Sequence, residues 1–218
     1  LLTERHSALS QIERFDFLAQ SDKPGRSTVP VWYPIDEQGK YSCGAVVAAT
    51  QFSYLAATRP GFSGLCPKIP KDKASFSDYI ETVSKSMPTD RKGLCTPYLY
   101  TSGALSFAAQ QSCTLYVREL DIPRFRLARP SFSQCSAFLR AGLAADCPIA
   151  FICLSGGQSP LLENRQWVTL IALEEQPTGQ AFCTVLTGNQ KRIIDFRLWY
   201  QNTKAGGGLV YFMGGDGD

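Results

Sequence analysis

Apolar residues recur along this chain in two periods, and the period changes past its middle. In "SALSQIERFDFLAQ", Leu9, Ile12, Phe15 and Leu18 fall at helical spacing, with Ser7 or Ser10 as candidate caps. "KPGRSTVPVWYPIDEQGKYS" follows as an extended segment punctuated by Pro and Gly. From Cys43 a second helix is predicted, with Ala45, Ala48, Ala49, Phe52 and Leu55 on one face and "RPGFSG" ending it. "SFSDYIETVSKSM" predicts a short helix behind a Ser cap, turning Phe76, Tyr79, Ile80 and Val83 inward. "TPYLYTSGALSFAAQQ" predicts a further helix and "CTLYVREL" a strand. "SFSQCSAFLRAGLAAD" is again helical, with Phe132, Cys135, Phe138, Leu139 and Leu143 on one face. Beyond it, "PIAFICL", "RQWVTLIALE", "AFCTVLTG", "KRIIDFRLWY" and "GGLVYFM" are dense in β-branched and aromatic residues, with Gly, Pro and Asn between them, and read as strands.

The order is a mostly helical half followed by a mostly antiparallel β half, an α+β arrangement rather than an alternating βαβ one. No repeat or low-complexity segment interrupts it. The 218 residues suit one large domain or two lobes sharing a core, and 44% hydrophobic with 19% charged residues is ordinary globular composition. A net charge of +3 gives no reason to expect nucleic acid or a membrane surface, and no apolar run approaches the roughly 20 residues of a membrane span. The chain opens "LLTERHSAL" without an initiator methionine, so a trimmed or mature form is expected.

Eight cysteines are many for a cytosolic enzyme of this size, and the count favours a secreted or periplasmic compartment over the cytoplasm. No CxxC pair is present, so neither a metal site nor another cofactor is expected. Cys153 and Cys183 sit in apolar runs and read as buried small hydrophobes. Cys66 and Cys95 both lie in loop-like stretches, where either a disulfide or two reduced thiols would fit. Cys43 stands apart: it occupies a Ser-Cys-Gly turn at a helix start, where partial positive charge favours a thiolate.

That cysteine, with a sheet built from the chain's end, is the layout of papain-like cysteine peptidases. The chain resembles the group that includes the bacterial double-glycine leader peptidases and their stand-alone relatives. The resemblance runs through "VPVWYPIDEQGKYSCGAVVAATQFSYL", "TPYLYTSGALSFAAQ", "FLRAGLAADCPIAFICL", "RQWVTLIALE", "FCTVLTGN", "DFRLWYQN" and "GGGLVYF", over roughly residues 28 to 213. It implies an N-terminal helical extension over 1–27 and one papain-like domain over 28–213. The helical half of that domain spans about 28–145 and the β half about 146–213, with a tail over 214–218. It also implies that the run ending "DFRLWYQN" contains a short helix.

Carried over residue by residue, the resemblance makes Cys43 the nucleophile and Gln38 the oxyanion-hole donor. Gln38 stands five residues before the cysteine where the family usually has six, and Glu37 holds that sixth position. The family's His-Trp-Val is Gln166-Trp167-Val168 here, and Asn189 is the candidate orienting residue among Thr187, Gly188 and Asn189. Trp32, Tyr33, Tyr41 and Trp167 are candidate cleft-binding residues, and Trp199 is a core or cleft-wall aromatic. A side-chain amide has no basic site near neutral pH, so Gln166 cannot accept and return a proton. His6 is the one histidine, upstream in the predicted first helix, and would have to cross the cleft to serve. Glu163, Glu174 and Asp195 are read as solvated carboxylates, Lys191 and Arg192 as exposed charges.

Two functions follow. One is a papain-like domain without standard Cys-His turnover that binds a peptide or protein partner in its cleft. The other is an active thiol enzyme using Cys43 (a peptidase, amidohydrolase or acyl/amide transferase), with its base altered at position 166.

Overall fold

A computed structural model describes residues 4–19, 43–87, 96–187 and 190–214. It is an α+β fold built on one antiparallel seven-stranded sheet. The strands are β1 (Arg5–Ala8), β2 (Tyr116–Ile122), β3 (Ile149–Cys153), β4 (Gln166–Glu175), β5 (Ala181–Thr187), β6 (Gln190–Asp195) and β7 (Gly207–Met213). Their spatial order is β2-β7-β3-β4-β5-β6, and β1 pairs with β4 beyond the end of β3. The helices are α1 (Asp16–Ala19), α2 (Cys43–Thr58), α3 (Lys73–Ser84), α4 (Pro97–Gln110), α5 (Phe132–Ala144) and α6 (Phe196–Asn202).

Strand alternation sorts the helices onto two faces. Trp167 and Phe212 point to the face that carries α2 and α4, where Trp167 stacks on Tyr100 and Phe212 meets Phe52. Their neighbours in sequence point the other way. Tyr211 packs on Phe138 of α5, and Phe151, in register with Leu209, meets Phe196 and Trp199 of α6. Covered on both faces, β3 is buried at every residue, which explains its unbroken apolar run. The α2 helix is buried almost all round, Gly44 to Phe52 without a break. Its predicted apolar face is therefore only part of what it buries.

Gly207 marks a close approach. A Cβ there would meet the Ile152 carbonyl and the ring of Trp199, which lies over the strand at this point. The cap of α3 is Asp72 rather than the serine expected: the helix starts a turn earlier, and Ser75 closes a capping box from its third position. Thr96 caps α4, and Ser131 with Gln134 forms a capping box on α5.

Two expectations differ from the structure. The helix read over residues 7–20 is instead strand β1, a 3-10 turn over Ile12–Phe15, and the short α1. The open edge of β4 beyond β3 captures Arg5–Ala8, and tertiary pairing overrides the helical spacing. Leu9 and Phe15 are still buried, as that spacing demands. The run "KRIIDFRLWY" is not one strand either. Asp195 accepts the Leu198 N–H at 2.8 Å and starts α6, the short helix that the resemblance implies.

Candidate functional site

Cys43 is the first residue of α2, a 16-residue helix, and is half-buried against the core. A helix N-terminus presents unsatisfied N–H groups and favours negative charge. The sulfur also accepts a hydrogen bond at 3.5 Å from the backbone N–H of Trp167, the second residue of β4. The structure thus brings the start of α2 to the start of β4, across most of the chain. Both neighbours of the sulfur, helix end and strand N–H, stabilise a thiolate over a thiol.

Gln166 is the first residue of β4 and half-buried. Its Oε1 accepts the Glu163 N–H at 2.9 Å, closing the turn that delivers the chain into the strand. With the oxygen held, the amide hydrogens are what this side chain offers a ligand. The register pairs Gln166 with Cys153, and Cys153 with Gly207, a row on the α6 face. Trp167 faces α4 instead. Cys43 therefore meets β4 through the Trp167 backbone, and the Gln166 side chain falls on the opposite face of the strand from Trp167. Arg165, just before, holds a left-handed backbone (φ 59°) that a bulky side chain seldom adopts.

A buried polar chain fixes α2 against the sheet. Trp167 stacks on Tyr100, ring centroids 4.3 Å apart. The Tyr100 hydroxyl donates to Gln51 Oε1 at 2.6 Å, and Gln51 Nε2 donates to the carbonyls of Pro148 and Val210. Gln51 lies on α2, about two turns beyond Cys43, and is fully buried. Burial without a charged neighbour pushes the Tyr100 hydroxyl well above its ordinary pKa, so it stays a donor. Neither residue was singled out in the sequence. The signal that would have found Gln51 is a lone amide in "AATQFSYL", a helix apolar on every side.

The remaining candidates separate. Trp167 is buried in the core, 3% exposed, and Trp199 is fully buried, donating from Nε1 to the Ser155 carbonyl. Gln38, Trp32, Tyr33, Tyr41 and Asn189 lie outside the described residues, as do Glu37 and Cys95. Thr187, before Asn189, buries a hydroxyl oxygen that has no hydrogen-bond partner among the described residues. His6 pairs with Glu174 at the far end of β4. Eight residues along a strand place it about 26 Å from the Cys43 end, out of reach as a base. Glu163 is exposed, and Asp195 is spent on capping α6. Lys191 forms an ion pair with Asp16 and Arg192 bonds to Gln190.

The other thiols contrast with Cys43. Cys66, Cys135, Cys153 and Cys183 are free and buried. Burial pushes Cys66 and Cys135 up to about 11 and Cys153 to about 12. Cys66 is thus an unpaired thiol, not half of a bridge.

Compared with known proteins, the chain matches no family model, and no curated protein matches it by sequence. No helix among the described residues is long and apolar enough to cross a membrane. No group of three or more His, Cys, Asp or Glu among them could hold a metal ion.

Proposed function

We propose that this chain is a papain-like cysteine-peptidase-related domain that keeps a thiol at its helix start, lacks the imidazole base, and binds a peptide or protein partner in the cleft. One relationship carries the reading. Cys43, heading α2, meets β4 at Trp167, and the residue immediately before Trp167 is a glutamine. Hydrolysis by a thiol needs a group that takes its proton and returns one to the leaving amine. Gln166 does neither, and the one histidine is at the other end of the strand. An amide can still donate to a peptide carbonyl, and the helix end with the Trp167 N–H favours a partially negative ligand atom. Those are the elements of recognition without turnover.

The N–H bond to the Cys43 sulfur favours a second reading, a working thiol enzyme, because it stabilises the nucleophilic form. Turnover separates the two. Under the binding reading, peptides incubated with the protein are bound but left uncleaved, and no acyl adduct on Cys43 appears by intact-mass spectrometry. Cleavage or acylation that is lost in Cys43→Ala overturns it in favour of the enzyme.

A further inference from the structure

The segment from Pro123 to Pro130, "PRFRLARP", leaves β2 and passes through a 3-10 turn over Arg126–Ala128. Its two large apolar side chains face solvent: Phe125 is 76% exposed and Leu127 105%. Both side chains project into solvent, and the pair forms a protruding tip.

This tip is held in place. Arg129 donates to the carbonyls of Pro123, Arg124, Tyr200 and Thr203, and Arg126 to that of Gln201. Five backbone bonds thus fix a loop that buries neither of its own apolar residues. A loop needing only to connect two elements would turn Phe125 and Leu127 inward or replace them with polar residues.

Charge surrounds the tip with one sign. Between Pro123 and Pro130 stand Arg124, Arg126 and Arg129, with no acidic residue. The Arg124 guanidinium makes no hydrogen bond or ion pair among the described residues, and the residue is exposed. Lys204, also exposed, follows Thr203, to which Arg129 is tied. Asp121, exposed on β2, is the nearest acid in the chain. These four cations against the one acid, Asp121, leave this end of the molecule net positive.

We infer that the Phe125–Leu127 tip is a membrane-docking loop. Its two apolar side chains enter the interfacial layer of an anionic bilayer, while Arg124, Arg126 and Lys204 pair with the headgroups. A bilayer asks for no complementary shape, only apolar insertion beside positive charge. A stable protein contact instead needs about 800 Å² from each partner, far more than two side chains supply. The sheet register fixes where the bilayer would lie. Ile122 pairs with Gly207, Gly207 with Cys153, and Cys153 with Gln166. The tip therefore leaves the same end of the sheet as the start of β4, three strand spacings or about 14 Å along the row. Docking would bring the end of the sheet that holds Cys43 and the start of β4 to the lipid surface. The inference does not depend on what Cys43 does.

The test is cosedimentation of the full chain with phosphatidylcholine vesicles containing about 30% phosphatidylserine. The expected result is pelleting with these vesicles, weakened by salt, and little with phosphatidylcholine alone. The double variant Phe125→Ser/Leu127→Ser should lower partitioning at least about tenfold with an unchanged thermal midpoint, since both side chains are exposed. Arg124→Gln, a second variant independent of the apolar pair, should lower it about fivefold. Wild-type protein that stays in the supernatant overturns the proposal, as does a double variant that pellets like wild type. Wild-type protein that does not pellet but self-associates through the tip, and loses that in the double variant, overturns it in favour of a protein contact.

Discussion

The sulfur of Cys43 and the backbone nitrogen of Trp167 lie 3.5 Å apart, joining the first residue of α2 to the second of β4. Neither the helix nor the strand could present this thiol alone. The helix supplies its positive end and the strand one directed N–H. Both stabilise charge on sulfur, and neither moves a proton.

Gln166→His is the direct probe of that gap. If position 166 reaches the thiol, an imidazolium there lowers the thiol pKa, and alkylation of Cys43 at pH 6 should rise about tenfold or more over wild type. The measurement is a rate by intact-mass spectrometry. An unchanged rate would mean that residue 166, whose strand register faces α6, does not address the sulfur.

The cysteines should divide by burial. In native protein at pH 8, iodoacetamide should modify the half-buried Cys43 and Cys113. Cys66, Cys135, Cys153 and Cys183, buried and, as thiols, raised by desolvation, should react only in denaturant. Peptide mapping before and after unfolding reads the difference.

Tyr100→Phe removes the donor to Gln51 Oε1 and leaves a buried amide oxygen unsatisfied. The expected loss is about 1–3 kcal/mol in urea denaturation. Adding Gln51→Leu should cost less than the sum of the two single changes, because the double variant removes the orphaned group.

The N-terminal segment should loosen in acid through Asp146. Burial alone would raise its pKa. The Ser10 N–H, the Tyr54 and Ser10 hydroxyls and the Arg59 charge outweigh burial and hold it below the usual carboxylate range. A depressed carboxyl pKa contributes stability above its unfolded value, about 3.9, and loses it as pH falls through the folded value. Asp146→Asn, which tolerates the left-handed backbone there (φ 51°), should be destabilised at pH 7. The gap from wild type should close as pH falls through the depressed folded value, below the ordinary carboxylate range. Thermal midpoints across pH give both limbs.

Most helices and strands past Cys43 were legible because their burial is periodic or continuous, as in the fully buried "IAFIC" of β3; "KRIIDFRLWY" was not, because its apolar run hides the Asp195 cap where strand gives way to helix. The first twenty residues were not. Leu9 and Phe15 marked the core correctly, yet the backbone before them is organised by a strand edge far along the chain, which no local period encodes. At the site, Cys43 was readable from its turn, and the start of β4 from "RQWV". Gln51 and Tyr100 were hidden because a polar residue on a helix ordinarily signals solvent, and only the packed structure reveals its partners.

The pairing of Arg5 with Glu175 has a consequence for assembly. β1 is synthesised well before its template, β4, which lies more than 150 residues further along the chain. Until then Arg5–Ala8 has no partner, and the second half of β4 has an open edge until β1 returns. A pairing this distant in sequence is slow to form. In the interval, the same edge can accept the β1 of another copy, exchanging strands between molecules.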